Sequence, residues 1–211
     1  MSDDQVAEPA RSTARRGRTR ARLLDAAVDV FAERGLEGAT VELICERAGF
    51  TRGAFYSNFS TKEELLLAAA EHVLQRSMAR IEEAADRLVL DPGAGHAAQV
   101  DALVAHFLSP EDPRGVRIEV ELRRLAQDDP RARAMVLRIN EHIESRVLGV
   151  VESVEALRSL ALRAEPIVVV RTLVALHRQA AELAWLTGDA ELDLTLLTSY
   201  VLVVSELVPG G

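Results

Sequence analysis

Between Thr40 and Leu65 the chain reads TVELICERAGFTRGAFYSNFSTKEEL, and few folds accept that order of residues. Thr40 is a good N-cap, because its hydroxyl can accept from a free N–H of a first helical turn. Val41, Ile44, Cys45 and Ala48 then recur at helical spacing and define one buried face. Gly49 can take a left-handed conformation and stop that helix. Thr51 caps a second helix, with Phe50 before the cap and Phe55 inside it spaced as a hydrophobic staple. Two short helices joined at a glycine turn make a helix-turn-helix. Phe55 and Phe59 point inward together. The outward arc then holds Gly53, Ala54, Tyr56 and Ser57, with Thr51 and Arg52 at its tip. That arc is small, polar and free of acid, as a helix lying in a DNA major groove requires.

Lys62 sharpens this reading. Ser60 and Glu63 are spaced as a capping box, which starts a helix at Ser60. Lys62 then falls in the first turn, where a cation opposes the helix dipole. It is also the only lysine of the chain. A locally disfavoured charge is a mark of function, and a lysine added to a helix N-terminus suits a phosphate.

Residues from about Arg18 to Leu66 resemble the DNA-binding region of the tetracycline-repressor (TetR) family. The resemblance rests on the Leu24–Phe31 run, Glu33-Arg34-Gly35, Thr40, Ala48-Gly49, Gly53, Tyr56, Phe59, Lys62 and Leu65. It covers under a third of the chain, but its motifs are specific in order and spacing. It implies that Thr40, Tyr56 and Lys62 contact phosphates and that Thr51, Arg52 and Gly53 approach bases. Asn58 stands where many members carry a histidine or another ring, and it too can donate to a phosphate. The first helix agrees. Leu24, Ala27, Val28 and Phe31 form its inward stripe from about Thr19 to Arg34, and Gly35 is a natural C-cap.

A net charge of −8 over 211 residues sits oddly with DNA until its distribution is read. Residues 1–9 carry −3, residues 10–62 carry +4 and residues 63–211 carry −9. A local positive end meets phosphates, and an acidic remainder discourages non-specific wrapping. Arg11, Arg15, Arg16, Arg18, Arg20 and Arg22 read as a basic arm, disordered without DNA, that contacts phosphates or the minor groove. The single cysteine, Cys45, excludes an internal disulfide and falls on a buried stripe. No signal peptide and no apolar span of membrane length are apparent, so a cytoplasmic chain with no membrane partner is expected.

Beyond Lys62 the pattern is helical throughout. A long helix is expected from Ser60 to about Leu90, stopped by Asp91-Pro92-Gly93, and another near His96–Ser109. Val116–Ala126 alternates like a strand but has no evident partner strand, so it reads as helix. Asp129-Pro130 starts a long helix. The last two helices, Pro166–Thr187 and Ala190–Val208, are apolar on more than one face and so need covering on two sides. Two such helices from each of two subunits would form a two-fold four-helix interface, and the resemblance implies the same mode of dimerisation.

The expected architecture is all-α. A flexible arm (1–17) precedes a three-helix helix-turn-helix DNA-binding domain (18–62) and a larger helical effector-binding and dimerisation domain (63–211). Enzyme motifs are missing. Gly93-Ala94-Gly95-His96-Ala97-Ala98 imitates a dinucleotide loop but follows Asp-Pro rather than a strand. The five histidines lack metal-ligand spacing, so neither catalytic residue, metal nor cofactor is expected. The reading is a ligand-responsive repressor that binds a palindromic double-stranded operator as a homodimer. Its DNA surface is Thr40, Thr51, Arg52, Gly53, Ala54, Tyr56, Ser57, Asn58 and Lys62. A small apolar effector would meet Met78, His106, Phe107, Met135, His142 and His177, which offer polarizable or titratable groups on apolar helices. The alternative is a helical dimeric interaction protein without an effector.

Overall fold

Helix α1 spans Ala7–Gly38 and is broken at Gly35, whose φ of 67° and ψ of 174° belong to no helix. It opens the computed structural model, which describes residues 7–91, 93–107, 113–153, 160–188 and 193–207. Then follow α2 (Val41–Ala48), α3 (Arg52–Tyr56), α4 (Lys62–Arg87), α5 (His96–Phe107), α6 (Pro113–Leu125), α7 (Pro130–Ser153), β1 (Leu160–Leu162), α8 (Pro166–Thr187), α9 (Thr195–Val204) and β2 (Ser205–Leu207). The predominantly helical fold agrees with the sequence reading. Ser109, Pro110, Ala190 and Val208 lie outside the described residues.

The chain divides into two compact units. The first is Met1–Val73 with Arg117–Arg133. Of the stripes read in the sequence, Leu24, Ala27, Val28, Phe31, Ile44, Cys45, Ala48, Phe55, Phe59 and Leu66 are buried and Val41 is half-buried, with Leu23 and Leu65 buried beside them. Ile118 and Leu122 of α6 are buried as well. Each large apolar side chain so enclosed contributes about 1.5–3 kcal/mol relative to exposure. Helix α6 thus belongs with α1, α2 and α3 to a unit larger than residues 18–62.

The second unit is Leu74–Val116 with Ala134–Gly211. Val100 and Val104 of α5 and Leu197 of α9 form its centre, with Leu173, Leu176, Ala180, Leu194, Val201 and Leu202 packed around them. Ion pairs Arg171–Glu144 (2.8 Å) and Arg146–Glu82, and a hydrogen bond from Arg178 to Asn140 (3.0 Å), tie α7 to its neighbours.

Two expectations about the last segment are corrected. The final helix begins at Thr195, where the Asp193 carboxylate accepts the Thr195 N–H (3.0 Å) and turns the chain before it. It also ends early. Residues 205–207 are extended and pair antiparallel with β1, Leu160 opposite Leu207 and Leu162 opposite Ser205. The strand lengths explain why alternation did not reveal them: three residues carry too little period to distinguish from a helix end. Helices α7 and α8 start at Pro130 and Pro166, where the proline signals place them, and Gly188 ends α8.

Candidate nucleic-acid interface

Threonine capping sets the frame of the interface. Thr40 has extended φ/ψ (−108°, 153°), and its hydroxyl accepts the Leu43 N–H at 3.2 Å. Thr51 does the same for Ala54 at 3.3 Å. Between them Gly49 is left-handed (φ 71°, ψ 38°). Its N–H donates to Glu46 O (3.1 Å) and the Phe50 N–H to Cys45 O (2.9 Å), a Schellman ending for α2. The Arg22 guanidinium donates to Ala48 O (2.9 Å) and lies over the Phe50 ring. The turn is therefore held by backbone, caps and one arginine of α1.

On α3 the buried side is Phe55, followed by Phe59 just past its end. Arg52, Gly53, Tyr56 and Ser57 are exposed with Thr40 and Thr51, while Ala54 and Asn58 are half-buried. Asn58 spends its amide locally: Nδ2 donates to Ala54 O (2.8 Å) and lies 3.3 Å from Ser57 Oγ. Ser57 also donates to Ala54 O (2.9 Å), and Arg16 donates to Ser57 O (3.0 Å). These bonds satisfy carbonyls that a helix end leaves open. Asn58 is thus placed as a cap of α3, where the sequence suggested a phosphate donor.

The sequence reading missed Glu42. The outward arc of α3 is free of acid, but Glu42 of α2 reaches Arg52 at 2.9 Å. A hydrogen bond with Tyr56, and after it the Glu42 carboxylate, hold the Arg52 guanidinium above its ordinary pKa. Glu42 sits in the first turn of α2, where an acid is explained by the helix dipole alone. Nothing in its spacing points to Arg52.

Lys62 is the second surprise. The cap is one residue later than read: Thr61 Oγ1 accepts the Glu64 N–H (3.1 Å), while Glu64 Oε2 accepts the N–H of Ser60, the residue before the cap (2.7 Å). Helix α4 therefore starts at Lys62 rather than Ser60. The Lys62 ammonium donates to Leu36 O (2.7 Å) and Ala39 O (3.3 Å), with Glu37 O at 3.5 Å. A cation misplaced for the dipole of α4 is well placed for the carbonyls that end α1.

The basic arm is also changed. Helix α1 runs back to Ala7, through residues that the charge density assigned to a flexible segment. Arg16 and Arg22 bond carbonyls, and Arg20 lies over the Phe59 ring at 4.4 Å. Carbonyl dipoles and a ring face offset the mutual repulsion that argued for disorder. Arg18 is exposed. The side chains of Arg11 and Arg15 lie outside the described ones.

The six effector candidates all fall in the second unit. Met78 and Met135 are buried, His106, Phe107 and His177 half-buried, and His142 exposed. His106 Nε2 lies 2.7 Å from Ala84 O, the distance of a ring N–H donating to that carbonyl, and its ring meets Phe107 edge to face. His177 Nε2 is buried with no hydrogen-bond partner among the described residues. Among the described residues no helix is long and apolar enough to cross a membrane.

Residues 23–69 match the family described as bacterial regulatory proteins, tetR family. The chain is similar to the uncharacterized HTH-type transcriptional regulator TtgW of Pseudomonas putida, with 44% identity over 70 residues, 31% of this chain and 52% of that protein. It spans between about a quarter and a half of the length of the first curated relatives it matches, all regulators rather than enzymes. Two solved structures share its fold. SmeT, the repressor of the Stenotrophomonas maltophilia multidrug efflux pump SmeDEF, is 25% identical with a TM-score of 0.61, over 91% of this chain and 94% of its own. FadR from Bacillus subtilis in complex with stearoyl-CoA is 20% identical with a TM-score of 0.63, over 87% of this chain and 95% of its own.

Proposed function

We propose that this chain, a tetR-family regulator by the DNA-binding domain at residues 23–69, is a ligand-responsive repressor that holds a palindromic operator as a homodimer in the cytoplasm. The observation that carries the reading is the α2–Gly49–α3 unit, which leaves Thr51, Arg52, Gly53, Tyr56 and Ser57 exposed on one short helix. Arg52 and Gly53 approach bases with Thr51. Thr40, Tyr56 and Ser57 meet phosphates, Ala54 lies against the groove wall, and Asn58 closes the helix end. The unit Met1–Val73 with Arg117–Arg133, which holds residues 18–62, is the reading part, and effector binding and dimerisation fall to Leu74–Val116 with Ala134–Gly211.

Dimerisation is supported by α8 and α9. Val168, Leu183, Leu186, Leu196 and Val203 are exposed there, and large apolar side chains left in water on the same two helices favour association. Two heads held one helical turn apart, or a multiple of it, read two half-sites. An effector response is supported by the stearoyl-CoA bound to the similarly folded FadR and by the orphaned His177 nitrogen, since buried polar atoms are normally partnered. A small apolar molecule with one polar group would suit Met78, His106, Phe107, Met135, His142 and His177. Selection of duplexes by the full-length chain from a random pool tests the core of this reading. Recovery of two inverted half-sites supports it, and recovery of no preferred sequence refutes it.

A further inference from the structure

Both backbone polar groups of Leu36 are held by side chains. Its N–H donates to Glu121 Oε2 of α6 at 3.1 Å, and its carbonyl accepts from the Lys62 ammonium of α4 at 2.7 Å. Glu121 is a carboxylate with a side chain only 4% exposed, and it also pairs with Arg117 at 2.8 Å. A buried carboxylate is costly unless it is paired and hydrogen-bonded, so the Leu36 N–H and Arg117 are what let it stay there. Gly35, the residue before Leu36, has a backbone conformation essentially restricted to glycine (φ 67°, ψ 174°). A Cβ at that position would lie 2.8 Å from Glu121 Oε1 and 2.9 Å from an Arg117 nitrogen. A second ion pair, Arg124 with Glu37, joins α6 to the same turn.

We infer that Lys62 and Glu121 are positioning residues for DNA reading: they fix the 35–39 turn on α4 and α6 and act without touching DNA. The turn leads directly into Thr40, the cap of α2, and Lys62 also holds Ala39 O next to that cap. Displacement of the turn carries Thr40 and the first turn of α2 with it, and Glu42 in that first turn is the partner of Arg52. The effect of either residue on DNA thus passes through backbone placement. The sole lysine of the chain serves the end of α1 and leaves the phosphates to other groups.

This inference rests on the DNA-binding reading, and its signs differ from those of plain electrostatics. The probes are a duplex selected by the wild-type chain and a random-sequence duplex, titrated over salt with the full-length chain. Lys62→Met is expected to weaken the selected duplex about 5- to 100-fold, the equivalent of one buried hydrogen-bonding group left unmatched. Its salt slope should equal that of wild type. A slope reduced by about 0.9, the share of one neutralised phosphate, overturns the assignment for Lys62. Glu121→Gln removes a negative charge from the DNA-binding unit, so charge alone would tighten binding. Positioning requires weaker binding and faster amide hydrogen exchange at Leu36. Equal or tighter binding with unchanged Leu36 exchange overturns the role of Glu121. Should that variant fail to fold, Arg117→Met with Glu121→Leu replaces the pair by apolar groups of similar size. That double variant must keep its helical content and lose selected-duplex affinity; binding as tight as wild type refutes the proposal. If the wild-type chain selects no duplex, the DNA reading fails, while exchange at Leu36 still reports on the grip by itself.

Discussion

The Glu42 carboxylate lies 2.9 Å from the Arg52 guanidinium, from the first turn of one short helix to the first turn of the next. Both side chains are mostly exposed, so solvent screens the pair and it adds little to stability. Its value is directional, since Arg52 is kept at the tip of α3 with Tyr56 as its other partner. Glu42→Gln should therefore do two opposite things. Loss of a repelling charge raises affinity for any DNA. Loss of Arg52 orientation lowers affinity only for the preferred site. The ratio of selected to random affinity is expected to fall, most at the position that Arg52→Ala relaxes by about 1–3 kcal/mol. An unchanged ratio would remove Glu42 from specificity.

Gly35 and Gly49 should differ under the same substitution. Both have positive φ, but Gly49 lies in the left-handed helical region, and a Cβ there would sit 3.2 Å from the movable end of Arg22. Gly49→Ala is expected to cost about 1–2 kcal/mol. Gly35→Ala adds to a backbone penalty of about 1–3 kcal/mol a clash with a carboxylate that is itself buried. Urea denaturation should rank Gly35→Ala as the more damaging. The reverse order would mean that the Glu121 side chain can move aside freely.

The caps of α2 and α3 were legible because they are local: Thr40, Gly49 and Thr51 act on residues within five positions. The buried stripes were legible for the same reason. Lys62 stands out in the sequence as a first-turn cation, but its partner is 26 residues away in sequence at Leu36, and no periodicity connects them. Glu121 is 85 residues from Leu36 and reads as one more charge on an amphipathic helix. The arginines of α1 were read by charge density, which ignores that Arg16, Arg20 and Arg22 find carbonyls and ring faces. What the sequence concealed is long-range and polar.

Burial pushes the Cys45 thiol up, with the nearby Glu42 carboxylate adding to it and Arg52 opposing it. A raised thiol is protonated at pH 7 to 8, and a buried one is out of reach. Native protein is expected to react with a disulfide reagent no faster than it unfolds, and one thiol should appear promptly in denaturant. Fast native labelling would place Cys45 at the surface, contrary to its burial.

Charges placed on exposed apolar positions separate association from folding. Leu186 is 65% exposed, Leu196 63% and Val203 70%, whereas Val201 packs on the core of its own unit. Leu186→Glu or Val203→Asp should leave helical content and melting nearly unchanged, since exposed sites tolerate substitution to within about 0.5 kcal/mol. The same variants should sediment as monomers and lose cooperative binding to paired half-sites. Dimeric variants with intact operator binding would move the interface elsewhere.

His177 allows an effector to be tested through the unliganded chain. Its Nε2 is buried with no partner among the described residues, and such a group costs about 1–3 kcal/mol of desolvation. If that cost is retained for a ligand, His177→Leu should raise the melting temperature of the free protein. It should also reduce the stabilisation given by an apolar compound with a hydrogen-bonding head. A true effector present at a hundred times its Kd stabilises wild type by about 2.7 kcal/mol, and linkage obliges it to weaken DNA by whatever preference it has for the state that DNA rejects. Compounds found by thermal shift are therefore added to the protein–duplex complex. Release from wild type and retention by His177→Leu is the expected pair of results. Hits that stabilise both proteins equally and leave the duplex bound would leave the alternative, a dimeric helical protein that responds to no effector.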